Sequence, residues 1–147
     1  MATLPDGDPQ ACLNALTHAH PSVRFWGVSG FRIHPLLVDA HREALALACT
    51  DPSSSVAILA AECLYLSGDK ETALKAYLRV LRDPDYGMLD RNFALNSMDA
   101  CDVDDPDLRL VIQRFYEENN TETAQQDKFN RFDFLMAENL LKKWDLL

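Results

Sequence analysis

The chain has 147 residues, 48% of them apolar, and a formal net charge of −9 from 23 acidic against 14 basic side chains. That length suits one domain with a real core, seven Phe, four Tyr and two Trp argue against a disordered tract, and the scattered Lys and Arg of so acidic a chain argue against nucleic acid as ligand. No apolar run approaches the roughly 20 residues of a membrane span, and Met1 to Gln10 has neither the basic residues nor the apolar stretch of a secretory signal.

Taken from the N-terminus, the first expected element is a short helix over 8–17 bearing Cys12, Leu13, Ala15 and Leu16. At about ten residues it is shorter than the roughly 12–15 at which a helix holds by itself. No charged side chain lies between Asp8 and Arg24, so this end lacks the polar cap that a stacked helical array needs. It is the expected docking edge for an upstream catalytic domain or a protein partner, and left open it would drive weak self-association. The residues singled out for that contact are Leu13, Leu16, His18, His20, Arg24, Trp26, Arg32 and His34. Arg and Trp are enriched at binding hot spots, although Trp26 reads equally well as core.

A repeat organises the rest of the chain. HPSVRFW (20–26), DPSSSVAIL (51–59) and DPDYGMLDR (83–91) each place a polar residue and Pro before an apolar stretch. Val23, Val56 and Leu89 stand 33 positions apart, as do Val28, Ala61 and Ala94, and again Leu45, Leu78 and Val111. A step of that size predicts a solenoid, whose units bury their apolar faces only against neighbours.

The repeats fall at about 21–50, 51–83 and 84–118, each a helix pair: 22–32 with 36–49, 53–67 with 70–82, and 87–100 with 107–118. Leu108, Val111, Ile112 and Phe115 follow i, i+3, i+4, i+7, as do Leu74, Tyr77, Leu78 and Leu81, and Val56, Ala60, Ala61 and Leu64 form a further stripe. Pro52 and Pro84 belong in the turns before helices, Gly68-Asp69 ends one helix and caps the next, and Pro106-Asp107 opens another. A polar link over 117–127 leads to a terminal helix over 128–145. Its expected apolar face is Phe129, Phe132, Met136, Leu140 and Trp144, with Glu138 and Lys142 paired outside. The expectation is a single all-α domain over 1–147, a HEAT-like α-solenoid of about three helix pairs with a C-terminal capping helix.

Few residues invite chemistry. Cys12, Cys49 and Cys63 sit among Ala and Leu as small buried hydrophobes do, and with Cys101 they form neither a disulfide framework nor a C-x-x-C zinc pair. His18-Ala-His20 offers two ligands where zinc takes three or four. Asp102, Asp104, Asp105 and Asp107 resemble a calcium loop, but an EF-hand needs Gly where Asp107 stands and Glu where Gln113 stands, so a solvated turn with a helix cap is the better reading. Glu117 and Glu118, being adjacent, point in different directions. Asn119-Asn120-Thr121 fits a glycosylation sequon. There is no phosphate loop, nucleophile elbow or H-E-x-x-H run, so no catalytic residue, cofactor or metal is expected.

PSVRFWGVSG, Pro21 to Gly30, resembles a HEAT repeat, with Val23 and Arg24 matching that motif's Val-Arg pair. The second repeat keeps Asp51-Pro52 and Val56 but has Ala57 in place of the Arg; the third has Leu89-Asp90-Arg91. With ALNSMDA (94–100) and LLKKW (140–144), the chain from about 20 to 145 resembles the HEAT-like, armadillo-like helical region that follows the catalytic domain in many bacterial sulfatases. The resemblance implies an accessory role in protein–protein contact, and an exported or periplasmic parent enzyme. Sulfatases depend on a Cys or Ser in C/S-x-P-x-R that becomes formylglycine, beside acidic calcium ligands. No Cys or Ser here opens that motif, so no sulfate-ester chemistry attaches to any residue of the chain.

LYLSGDKETALKAYLRVLRDP, Leu64 to Pro84, is also similar to a tetratricopeptide repeat through Gly68, Ala73 and Tyr77, though the step of 33 is one short of that family's usual 34. That likeness supports the alternative of a stand-alone adaptor, cytoplasmic, binding a peptide or protein. A HEAT-like nucleic-acid glycosylase would need a basic concave surface, against which the net charge of −9 argues.

Overall fold

The computed structural model describes residues 8–122 and 131–147. Its regular elements there are all helical: α1 (Pro9–Leu16), α2 (Pro21–Ile33), α3 (Arg42–Ala48), α4 (Ser54–Leu66), α5 (Lys70–Arg82), α6 (Met88–Ala100), α7 (Pro106–Asn119) and α8 (Phe132–Lys143), with two 3-10 turns at Pro35–Leu37 and Asp39–His41. The local reasons are those of the sequence. Pro9, Pro21 and Pro106 open helices, where a missing N–H costs nothing. Asp8, His20 and Asp105 accept the orphan N–H groups behind them. Gly68, at φ +101, ends α4, and the bond from Asp69 N–H to the Leu64 carbonyl closes the last turn.

The expected helix over 36–49 is broken. Pro35 restricts His34 to φ −114, ψ 72, and the chain continues as tight turns. His41, whose ring leans on Phe31 at 5.6 Å between centroids, sits at φ −128, ψ 27, off the helical region, so α3 begins only at Arg42. The terminal helix is described from Phe132; the part of its expected span over 128–130, with Phe129, lies outside the described residues, as does much of the link over 117–127.

The chain divides into two compact units within α5, the first ending at Ala76 and the second starting at Tyr77. In the first, α2 packs against both α1 and α4, and α3 against α4. The α1–α2 crossing is close: a Cβ on Gly27 would stand 2.8 Å from the Cys12 carbonyl oxygen and 2.9 Å from the Ala15 Cβ, so only Gly fits. Helix α4 is buried on nearly every side, from Val56 through Ala60 and Ala61 to Leu64 and Tyr65, and not on the single stripe that the spacing suggested.

In the second unit α8 packs against α6 and α7. The Tyr77 and Ser97 hydroxyls are buried and 2.6 Å apart, so this polar pair satisfies itself. The inner face of α8 is Phe134, Ala137, Leu140 and Leu141, whereas Phe132 is 52% exposed and Met136 half-buried, so of the described residues of the expected face only Leu140 is buried. Charge selects this face. Asp133 is fully buried because Arg91 and Arg131 reach it at 3.1 and 3.3 Å, which turns Phe134 inward to stack on Tyr116 at 5.0 Å. The Glu138–Lys142 pair forms outside at 3.2 Å.

Of the three ladders at the 33-residue step, Val28, Ala61 and Ala94 are all fully buried. The other two are uneven: Leu45 is buried while Leu78 and Val111 are half-buried, and Val56 is buried while Leu89, in the first turn of α6, is 69% exposed.

Candidate functional site

The residues singled out at the N-terminal edge take two kinds of position. Cys12 and Ala15 face α2, which leaves Leu13 and Leu16 half-buried on the flank of α1. His18 and His20 are exposed, but each spends Nδ1 on the backbone: His18 accepts from His20 N–H at 3.0 Å, and His20 accepts from Ser22 N–H at 3.2 Å as the cap of α2. Their Nε2 atoms remain for a partner.

Arg24 is committed within the unit. It forks onto Asp51 at 2.7 and 3.0 Å and donates from Nη1 to the carbonyls of His18 and Ala19 at 3.0 and 2.8 Å. The hydrogen bond to Asp51 raises the guanidinium pKa further. Trp26 is half-buried, and its indole N–H is buried without an acceptor among the described residues.

Arg32 and His34 stand at the other end of α2, away from that loop. His34 closes α2, donating its backbone N–H to the Gly30 carbonyl at 3.0 Å. Arg32 reaches Glu62 on α4 at 3.0 Å and lines a slot of about 230 Å³ between the end of α2, the first 3-10 turn and the end of α4. Buried Phe31, Val38 and Cys63 form the floor of this slot; Leu36, 95% exposed, and Leu66, 52% exposed, form its lips. Arg42 bridges Asp39 at 2.7 Å and the Ser67 carbonyl at 3.0 Å beside it, holding the rim in place. An apolar floor with a fixed charged rim suits an apolar side chain of a partner. Cys63 is a buried atom of this floor, and burial pushes its thiol up to about 12.

Leu36 and Leu66 were not anticipated. The available signal was His34-Pro35-Leu36-Leu37: an X-Pro step starts a turn, and two leucines in a turn need a cover or a partner.

The acidic loop after α6 is held by local partners. Lys143 Nζ reaches Asp99 and Asp102, Arg109 grips Asp104 with two bonds of 2.6 Å, and Asp105 caps α7. Hydrogen bonding to Arg109 holds the Asp104 carboxyl below its usual range, and bonding to Asp102 and Asp99 raises Lys143. The sequon's Asn119 donates to the Phe115 carbonyl at 2.7 Å and accepts from Arg131 at 3.1 Å, so its amide is occupied. Among the described residues no three His, Cys, Asp or Glu converge to hold a metal ion, and no helix is long and apolar enough to cross a membrane.

The cluster of Arg91, Arg131 and Asp133 was missed by sequence reasoning. Both guanidinium groups also lie over the Phe115 ring, at 5.6 and 5.9 Å. No spacing rule could connect Arg91 with Asp133, 42 positions on. Compared with protein-family models, with curated proteins and with solved structures, the chain matches none.

Proposed function

We propose that the chain is a non-catalytic helical-repeat scaffold that docks a protein partner on its first unit, as an accessory region resembling the one that follows bacterial sulfatase domains. The carrying observation is the slot under Leu36: a leucine 95% exposed beside an apolar floor, at the end of a helix whose other end is the N-terminal edge. The reading of the helix pairs as HEAT-type repeats in a solenoid is supported by the buried ladder of Val28, Ala61 and Ala94. Chemistry on sulfate esters is assigned to no residue here, and the purified chain is expected to give no turnover of aryl sulfates above a heat-killed control.

The test is a photo-crosslinker placed at Leu36 and, as control, at the exposed Lys75, in the native host. One defined protein captured at Leu36 and not at Lys75 supports the reading; equal, diffuse capture at both overturns it. An adaptor for peptides would use the same slot, and the upstream reading frame separates the two, since an adjoining sulfatase domain belongs only to the accessory role.

A further inference from the structure

A second apolar surface lies in the other unit, on α7. A groove of about 390 Å³ runs between the end of α5 and α7, with Leu81, Val111 and Phe115 half-buried along it and Leu110 61% exposed at its edge. Four exposed charges line it: Arg82, Asp107, Arg114 and Glu118. Among the described residues none of these four has an ion-pair partner, although most other charged side chains of the unit do. Unpaired charges of both signs beside exposed leucine are what a complementary surface would match.

We propose that α7 pairs with α7 of a second copy of this chain, antiparallel, about a twofold axis midway between Leu110 and Val111. The order of charges along the helix identifies the occupant. Asp107 and Arg114 lie on the same face two turns apart, each about 5 Å along the axis from that midpoint at 1.5 Å per residue. A twofold rotation therefore sets Asp107 opposite Arg114 of the other copy, and Arg114 opposite its Asp107. Leu110 meets Val111 at the centre in the same operation. An isologous contact demands this self-complementarity, whereas an unrelated partner would have no reason to find it.

One helix face is smaller than the roughly 1,200–2,000 Å² of a stable interface, so the dimer is weak, with a Kd of roughly micromolar to millimolar order. At physiological ionic strength the charge of −9 on each copy is screened beyond about 8 Å, leaving the short-range pairs to set orientation.

The experiment is sedimentation velocity on the full chain, from about 10 μM to about 1 mM. The wild-type chain is expected to shift from monomer to dimer across that range. Leu110→Ser, at an exposed position that leaves the fold intact by circular dichroism, is expected to abolish the shift. Asp107→Arg and Arg114→Asp alone each set like charges face to face and are expected to weaken association about tenfold. An equimolar mixture of those two variants restores both opposite-charge pairs in the heterodimer, and association is expected to return to within about threefold of the wild type. A monomer throughout the range overturns the proposal. So does a dimer indifferent to Leu110→Ser, which places the contact elsewhere, or a mixture no tighter than either single variant.

Discussion

Arg24 and Asp51, 27 positions apart, meet in a two-point fork of 2.7 and 3.0 Å that ties the start of α2 to the turn before α4, while Arg24 Nη1 also holds the His18 and Ala19 carbonyls of the turn before α2. Asp51 Oδ1 also accepts the Ser53 N–H at 2.8 Å, so one carboxylate serves both α2 and the turn that opens α4. The side chains are 15% and 8% exposed, so this pair is shielded where most surface pairs are not.

Removing either partner should therefore lower the melting temperature well beyond the change seen for an exposed pair such as Glu71–Lys75, at 2.9 Å and over 70% exposed on both sides. Arg24→Lys should rescue little, because a single ammonium cannot span two carboxylate oxygens and two carbonyls. A double-mutant cycle with Asp51→Asn measures the coupling; additive losses would show that the fork contributes nothing beyond its parts.

Ala61 and Ala94 are fully buried at equivalent places of the 33-residue step. Ala61→Asp is expected to bury an unpaired charge at a cost of several kcal/mol, out of the roughly 5–15 that a domain commands. Lys142→Ala, on the solvent side of α8, is expected to cost under about 0.5 kcal/mol. Urea melts compare the two, and equal midpoints would contradict the buried ladder.

The thiols give a pH-dependent expectation. Burial raises Cys63 from 9.0 to about 12 and raises Cys12 as well, whereas Cys101 is only half-buried. In the native chain at pH 8 a disulfide reagent should modify Cys101 first, and all four cysteines only in denaturant. The folded state keeps the Cys63 proton when the unfolded chain has lost it, so this contribution is full below about pH 9 and lost as pH rises toward 12. Stability should fall across that window by up to about 1.4 kcal/mol per pH unit, and a Cys63→Ala variant should lose part of that slope.

Asp133 is fully buried between Arg91 and Arg131. Asp133→Asn keeps the shape and removes the charge, leaving the two guanidinium groups against Phe115 with the Tyr86 carbonyl and Asn119 as their remaining acceptors, and should cost about 1.5–3 kcal/mol. Urea unfolding followed by the near-ultraviolet signal of the stacked Tyr116–Phe134 pair checks it. A loss below about 1 kcal/mol would mean water compensates both arginines.

Much of the local order was legible in the sequence because it is local in cause. Pro52 and Pro84 in the turns, the Gly68-Asp69 and Pro106-Asp107 steps, and apolar residues three and four apart placed α4, α5, α6 and α7 to within a residue at each end. The 33-residue step put Ala61 and Ala94 at equivalent close-packed positions, and both are fully buried. Where partners far along the chain decide, those signals have no reach. The stripe of α8 follows Asp133 into the core because Arg91 waits there, not because Phe132 is apolar. The helix expected over 36–49 breaks where Pro35 and the His41–Phe31 contact outweigh helix propensity. Arg24, which by type suggests a binding hot spot, is a fastener because Asp51 stands opposite it, and Leu36 is 95% exposed in the 3-10 turn that replaces the start of the expected helix. Spacing along a chain sets which side of a helix is apolar; only the packed partners set what that side meets.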